Sequence, residues 1–205
     1  DQGKAKGMNI TTTGLGAPDR RVRCAAASVR PGDQVILSGP IGDHGVTVLL
    51  ARGDLDLDAE LQSDTRSVAP LVAALIDNVA HGLRWMRDPT RGVAATAQNE
   101  LARDPGIGVA LFEERVPVRD PVRGACELLG LDVLHIANEG QFLPVVAPAD
   151  AERALHAIRA VPGGDAAAIV GEIRETPART VLGFSPFGGS RVIDMLVGDP
   201  LPRIC

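Results

Sequence analysis

The chain has 205 residues and a formal net charge of −5, with 45% hydrophobic and 23% charged residues. This composition is typical of a globular protein and excludes disorder as its main state. A nucleic-acid partner is not expected, because the chain is acidic and offers only four Phe, one Trp and no Tyr for base stacking. A membrane partner is not expected either, because the longest clearly apolar window, 68–76, is short and contains a proline.

The three cysteines, Cys24, Cys126 and Cys205, are widely separated and form no Cys-x-x-Cys motif. This spacing argues against a disulfide framework and against a cysteine zinc site, and no metal site is predicted. It indicates a reducing compartment, and we expect a cytoplasmic protein.

The first segment predicts a strand, since residues 8–13 are rich in β-branched side chains. A lone strand needs neighbours for its backbone groups. With an Asp at position 1 and no signal peptide, we interpret the chain either as a fragment or as a chain whose first segment pairs with distant strands. A natural start after processing is the alternative.

The remaining elements follow from hydrophobic periodicity and turn signals. In the first half of the chain we predict a strand over 34–37, a glycine loop over 38–45 leading into a helix that ends at 50, a polar surface connection over 53–66, a helix with core positions 68, 71, 72, 75, 76 and 79, a strand over 83–86 and a helix over 93–102. In the second half we predict a strand over 108–112, a helix over 121–129 with 122, 126 and 129 on one face, an apolar segment over 134–137, a strand over 142–146 and a helix over 149–160 with 155 and 158 inward. Three apolar segments, 168–173, 181–184 and 192–196, close the fold. Because strands and helices do not alternate strictly, we predict an α+β fold with a mixed sheet. The last eight residues contain two prolines and predict an extended tail.

The glycine loop is the first candidate for chemistry. Its three glycines allow a ligand to approach the backbone, and Asp43 is predicted to cap the following helix. Free N–H groups at a helix N-terminus suit phosphate, although the Lys-Ser/Thr ending of a Walker A loop is missing. Taken alone, the pattern favours an ordinary strand-to-helix turn with His44 exposed.

The second and third candidates are two short polar motifs. In the string 88–92, Thr90 is a helix cap and Arg91 offers a planar fork for phosphate or carboxylate. The commoner explanation is a capped helix with a surface ion pair. Glu139, between Asn138 and Gly140 at the predicted end of an apolar strand, is suited to act as a base; a solvated turn glutamate is the local alternative.

The fourth candidate is Cys205, the last residue of the chain. A thiol on an exposed end is vulnerable to oxidation, so its presence suggests use. At about 3.1 Å per residue, the eight-residue arm reaches about 25 Å, which is the scale of a carrier arm. Cys24 and Cys126 are predicted to be structural.

These motifs together resemble the HypE family of hydrogenase maturation factors, the carbamoyl dehydratases. The resemblance is carried by CELLGLDVLHIANEG over 126–140, SGPIGDHG over 38–45, DPTRG over 88–92 and the ending PRIC over 202–205. PRIC is the most specific element, because the wider AIR synthetase-related superfamily lacks it. Residues 11–16, TTTGLG, are similar to the last strand of the family's N-terminal domain. One departure is Val93, where relatives commonly have a second glycine.

The resemblance implies an AIR synthetase C-terminal-like domain over 31–197, preceded over 1–30 by a remnant of the ATP-binding domain and linker, and followed by a flexible tail over 198–205. It implies ATP-dependent dehydration of a carboxamide on the Cys205 thiol to a thiocyanate, which supplies the cyanide ligand of a [NiFe]-hydrogenase. Cys205 carries the group and Glu139 is the base. The residues implied on the phosphate side of a cleft are Gly42, Asp43, His44, Gly45, Asp88, Thr90, Arg91 and Gly92.

The implied cofactors are ATP and Mg²⁺, bound mainly by the part absent here, so this chain alone is expected to be inactive. The implied partners are the carbamoyltransferase HypF, the HypC–HypD scaffold and a second copy of the protein. Two alternatives stay open: another ATP-dependent kinase or synthetase of the superfamily, and a non-catalytic docking fragment.

Overall fold

The fold is a seven-stranded mixed sheet covered by helices. The structure is a computed structural model that describes residues 13–53, 60–90 and 93–195, except for the side chain of Val93. The strands are β1 (Gln34–Leu37), β2 (Leu83–Arg87), β3 (Gly108–Phe112), β4 (Leu143–Val146), β5 (Ala168–Arg174), β6 (Thr180–Phe184) and β7 (Ser190–Val192), in the spatial order β2-β4-β1-β5-β3-β6-β7. Only β3 and β6 pair in parallel. The predicted α+β class with a mixed sheet is confirmed.

Five helices lie in the described part of the chain. They are α1 (Asp43–Arg52), α2 (Ala69–Val79), α3 (Val93–Arg103), α4 (Asp120–Leu129) and α5 (Ala151–Arg159). Helix α2 buries Leu71, Leu75 and Val79, as its predicted helical period requires. Across the described residues no helix combines the length and apolarity needed to cross a membrane.

The sheet separates two apolar clusters, and β1 contributes to both. Val35 and Leu37 belong to the cluster that includes α3, whereas Ile36 packs with α2 and α5. This alternation is the period of two of a strand buried on both faces. A third, smaller cluster joins α1 and α4 through Val46 and Val122.

Several predicted boundaries were wrong. Helix α1 begins at Asp43, inside the predicted loop, and the last described strand, β7, overlaps the predicted apolar segment 192–196 only at Val192. The apolar segment before Glu139 forms a 3-10 turn, Val133–His135, because the Asp132 carboxylate accepts the Leu134 N–H at 3.0 Å. Leu129 is 40% exposed rather than inward.

The predicted first strand is not seen where it is described, since residues 13–16 have no regular structure. Residues 8–12 of that strand and the whole tail 198–205 lie outside the described residues. The division into 1–30, 31–197 and 198–205 stays a prediction.

The register of the sheet brings three predicted motifs to one edge. Gln34 pairs with Val146 and Arg87 pairs with Leu143, both in antiparallel ladders. The carboxyl ends of β1 and β2 therefore lie beside the amino end of β4. The glycine loop follows β1, Asp88 follows β2, and the segment 138–140 precedes β4.

Candidate functional site

The glycine loop packs directly on the Asn138-Glu139-Gly140 motif. The Gly42 N–H donates to the buried Asn138 Oδ1 at 2.7 Å, and the Gly45 N–H donates to the Ala137 carbonyl at 3.1 Å. Asn138 Nδ2 in turn donates to the Ile136 carbonyl at 3.0 Å. The two motifs, which lie about a hundred residues apart in sequence, form one hydrogen-bonded unit.

The glycines of the loop are in close contact with other parts of this chain. A Cβ on Gly42 would lie 2.6 Å from Val122 Cγ1, and one on Gly45 would lie 2.5 Å from Ile136 Cγ2. Gly42 also has φ of 89°, which other residues adopt only with strain. The close approach predicted for a ligand is therefore an approach to α4 and the 136–137 backbone.

Residues 60–66 complete the unit. The Asp64 carboxylate accepts the N–H groups of Glu139 and Gly140, both at 3.1 Å. A Cβ on Gly140 would overlap the Asp64 carbonyl oxygen. The glycine after Glu139 is therefore needed for this close contact. Residues 60–66, part of the predicted surface connection 53–66, thus have a structural role, and we call them the strap.

Arg66 fastens this strap to two further segments. Its guanidinium donates to the Gly140 carbonyl at 2.9 Å, to Gln141 Oε1 at 3.1 Å and to the Gly163 carbonyl. Gln141 Oε1 also accepts from Ser38 Oγ at 2.8 Å. Hydrogen bonds thus lock the ends of β1 and β4 to residues 64–66.

A cleft of about 1080 Å³ opens between the strap, the loop before α1 and the start of α4. Its ionisable lining comprises five carboxylates and two guanidiniums, from Asp43, Glu60, Asp64, Asp120, Asp165, Arg66 and Arg119. Its surface is therefore net acidic, which by itself disfavours a polyphosphate.

Asp43 is the predicted site residue that lines this cleft. It is the first residue of α1 and only 3% exposed, and the N-cap is Gly42, so the predicted side-chain cap was wrong. Its Oδ2 accepts from Arg119 Nε at 2.8 Å, whereas its Oδ1 is buried and has no partner within the described residues. Burial raises the pKa of Asp43; Arg119 opposes this rise and Asp64 adds to it.

His44 and Glu139 flank the strap without lining the cleft. His44 Nδ1 lies 2.9 Å from Ser63 Oγ, which removes the expectation of a free turn histidine. Glu139 is half-buried, and its carboxylate accepts no hydrogen bond in the part of the chain that the structure describes. Its backbone is held by Asp64 while its side chain keeps its acceptor capacity.

The other predicted site residues are only partly described. Asp88 is exposed and Thr90 is half-buried, at the same sheet edge but outside the cleft lining. Arg91, Gly92 and Cys205 lie outside the described residues, so their roles stay predictions. The cap that Thr90 was predicted to provide is likewise untested.

The described cysteines and acidic residues do not form a second site. Cys24 is exposed and Cys126 is buried, and desolvation raises the pKa of both thiols. Over residues 13–53, 60–90 and 93–195, no cluster of three or more His, Cys, Asp or Glu side chains is arranged to hold a metal ion.

Sequence reasoning missed Asp64, Arg66, Arg119 and Gln141. The first two lie in a polar stretch without periodicity, and their partners are more than seventy residues away. No local pattern marks such contacts. The contact between the glycine loop and the Asn138-Glu139-Gly140 motif was also not predictable, because the two motifs lie far apart in the sequence.

Comparison with known proteins gives one consistent family. Residues 30–182 match the family model of the AIR synthase related protein, C-terminal domain. The whole chain is 47% identical to the carbamoyl dehydratase HypE of Azotobacter vinelandii and covers 60% of it. The chain thus spans about 60% of the length of the curated relatives it matches.

Two solved structures are similar in both sequence and fold. The HypE–HypF complex gives a TM-score of 0.80 at 36% identity, covering 84% of this chain and 56% of the matched one. The hydrogenase maturation protein HypE in complex with ATP gives 0.81 at 37% identity, covering 86% and 54%.

Proposed function

Since the chain belongs to the AIR synthase related proteins, as a C-terminal domain of that family, we propose that it is the C-terminal domain of a carbamoyl dehydratase that acts in hydrogenase maturation. The observation that carries the proposal is 47% identity over all 205 residues to a carbamoyl dehydratase HypE. The chain also carries the four motifs on which the resemblance rests, of which the ending PRIC with its terminal cysteine is the most specific.

The reaction converts a carboxamide on the Cys205 thiol into a nitrile. An amide oxygen is a poor leaving group, and transfer of a phosphoryl group from ATP to this oxygen makes it a good one. The carbon–oxygen bond then breaks, phosphate leaves with the electron pair, and the nitrogen gives up its proton to form S–C≡N. The balance is one carboxamide and one ATP giving one thiocyanate, ADP, phosphate and protons.

Glu139 is the proposed base for this elimination. Its backbone is fixed by Asp64 at 3.1 Å, and its carboxylate accepts no hydrogen bond from the described residues. A positioned carboxylate with free acceptor capacity is what general-base catalysis requires. We assign the phosphate side to Asp43, His44, Thr90 and Arg91 together with Gly42, Gly45, Asp88 and Gly92, as the family motifs suggest.

ATP and Mg²⁺ fit this domain poorly on their own. The cleft carries five carboxylates against two guanidiniums, and the described residues offer no metal-binding cluster. We therefore propose that both are bound mainly by the part of the relatives that this chain does not span, while this domain provides acid–base groups. HypF, the HypC–HypD scaffold and a second copy are the proposed partners, in the cytoplasm.

The test uses the full-length protein with HypF, carbamoyl phosphate and ATP, followed by intact-mass analysis. We expect a carbamoyl adduct on Cys205 that then loses one water. Cys205→Ala should abolish the adduct, and Glu139→Gln should keep the adduct but block the loss of water. An adduct on Cys24 or Cys126, or normal dehydration in Glu139→Gln, would contradict the corresponding assignment.

A further inference from the structure

The chain is held firmly at the point where it leaves the domain toward Cys205. Ile193 is the last buried residue in the part of the chain that the structure describes, and it packs in the core cluster that includes α3. Its N–H donates to the Val181 carbonyl of β6 at 2.9 Å, and its carbonyl accepts from the buried Asn99 Nδ2 at 2.8 Å. The residues that follow therefore start from a fixed anchor in the core.

A further contact holds the next residue at the surface. His135 Nε2 lies 3.0 Å from the Asp194 carbonyl oxygen, and because a carbonyl oxygen only accepts, the His135 Nε2–H is the donor. Asp194 is exposed, whereas Ile193 before it is buried. This hydrogen bond can therefore open without disturbing the core.

The turn that carries His135 is fixed by contacts of its own. The Asp132 carboxylate accepts the Leu134 N–H at 3.0 Å, which shapes the turn, and it pairs with Arg191 of β7 at 2.6 Å. The donor is thus held in place whether or not it binds Asp194. Its hydrogen bond acts on the chain end and not on the turn.

The same turn leads directly into the proposed base. Glu139 follows His135 by four residues, which span at most about 14 Å even when fully extended. The eleven residues after Asp194 form the predicted extended arm and reach about 34 Å. The arm is therefore long enough to bring Cys205 to Glu139 while its root stays bound to His135.

The proposed function, on which this inference rests, sends the arm to two destinations, since HypF loads the thiol and Glu139 acts on the loaded group. We infer that the His135–Asp194 hydrogen bond is a clamp on the root of the arm and favours the second destination. A clamped root fixes the direction in which the arm leaves, and an arm with two prolines keeps its direction over several residues. With a free root, fewer conformations of the arm bring Cys205 to Glu139.

The strength of one hydrogen bond limits the size of this effect. A contact shifts an equilibrium by no more than its own net free energy, and an average hydrogen bond supplies about a fivefold factor. His135 is thus a positioning residue, because it acts through the arm. Its loss should slow the step at Glu139 and should not slow loading, which takes place on the partner protein.

The experiment measures the two half-reactions separately in the full-length protein. Loading is the sum of carbamoyl adduct and nitrile formed with HypF, carbamoyl phosphate and ATP, followed by intact mass. Dehydration is a single turnover of the adduct after it has been separated from HypF and given ATP. His135→Phe, which keeps a ring without a donor, should load at the wild-type rate and dehydrate about fivefold more slowly. His135→Gln, which offers an Nε2–H donor of similar reach, should dehydrate at the wild-type rate.

The matched control is His156→Phe, at an exposed position of α5, which should behave as wild type in both half-reactions. Equal slowing of both half-reactions by His135→Phe would indicate a general folding defect and would overturn the inference. Unchanged or faster dehydration in that variant would overturn it as well. His135→Leu provides the same test if the Phe variant is unstable.

Hydrogen exchange separates this inference from the proposed function. Loss of the clamp should raise amide exchange over residues 190–195 of the full-length protein about fivefold in His135→Phe, and not in His135→Gln or His156→Phe. That result shows that the clamp forms even if the group on Cys205 is never dehydrated. Equal exchange in wild type and His135→Phe refutes the clamp even if dehydration proceeds as proposed.

Discussion

Replacing Asp43 by Asn should make the domain more stable at neutral pH. The buried carboxylate leaves Oδ1 unpaired, which costs about 1–3 kcal/mol. Its ion pair with Arg119 returns about 0.2–1 kcal/mol, because the Arg119 side chain is 60% exposed and screened by water. Asn keeps the shape and accepts from Arg119 through its carbonyl oxygen, while its amide NH2 takes the place of Oδ1 and stays unpaired. The substitution therefore removes the buried charge and keeps one unpaired polar group. We expect a gain of about 1 kcal/mol in the free energy of unfolding.

The pH dependence of stability predicts the sign of the Asp43→Asn effect by a separate argument. Because folding raises the pKa of Asp43, its ionisation favours the unfolded chain, and wild type loses stability as pH rises from the unfolded pKa through the folded pKa. The Asp43→Asn variant has no such loss, so its advantage over wild type should be small near about pH 4 and full near about pH 7.5. Urea denaturation at both pH values measures the difference, and Asp104→Asn is the control. A variant that is less stable at the higher pH would show that the Arg119 pair outweighs burial and would refute the reasoning.

Two further predictions concern the strap and the nucleotide. Gly140→Ala should lower the free energy of unfolding by about 3 kcal/mol, because its Cβ would overlap the Asp64 carbonyl oxygen. The control is Gly124→Ala in α4, whose Cβ meets no atom within 4 Å, and it should be neutral or slightly stabilising. Equal denaturation midpoints for the two variants would contradict the close contact at Gly140. This chain alone should neither hydrolyse ATP nor bind it tightly, because its acidic cleft disfavours a triphosphate and the described residues offer no cluster arranged to hold Mg²⁺. Micromolar affinity in calorimetry would contradict this expectation.

The sheet was predictable because its strands are short apolar runs between turn signals. The bounds of β1 and β3 are those predicted from sequence alone. The last strand was not, since the apolar segment at 192–196 overlaps β7 only at Val192, and Ile193 enters the core just beyond β7. The three residues of β7 are exposed, and the strand is set by pairing with β6, as in Leu182 opposite Val192. Pairing of this kind leaves no apolar pattern in the sequence.

The candidate site was predictable as a set of residue types and not as a geometry. The motif containing Gly42 and the motif containing Glu139 were both identified, but glycines were interpreted as space for a ligand. The structure uses Gly42, Gly45 and Gly140 for contacts with Val122, Ile136 and Asp64. A sequence shows that a position needs glycine and does not show which atom lies where a Cβ would be.

Asp43 shows why residues that the fold requires must be distinguished from residues that the fold does not explain. The glycines around it are explained by internal packing. Asn138 is hydrogen-bonded to Gly42 and Ile136, and Asp64 accepts from the backbone of Glu139 and Gly140. Asp43 Oδ1 is different, because it is buried, close to donors on the protein and still unpaired in the described residues. Stability alone would favour an amide at this position, because Asp43→Asn is predicted to be more stable than wild type at neutral pH. A residue that costs stability and lines a cleft is a candidate for a role in function rather than in folding.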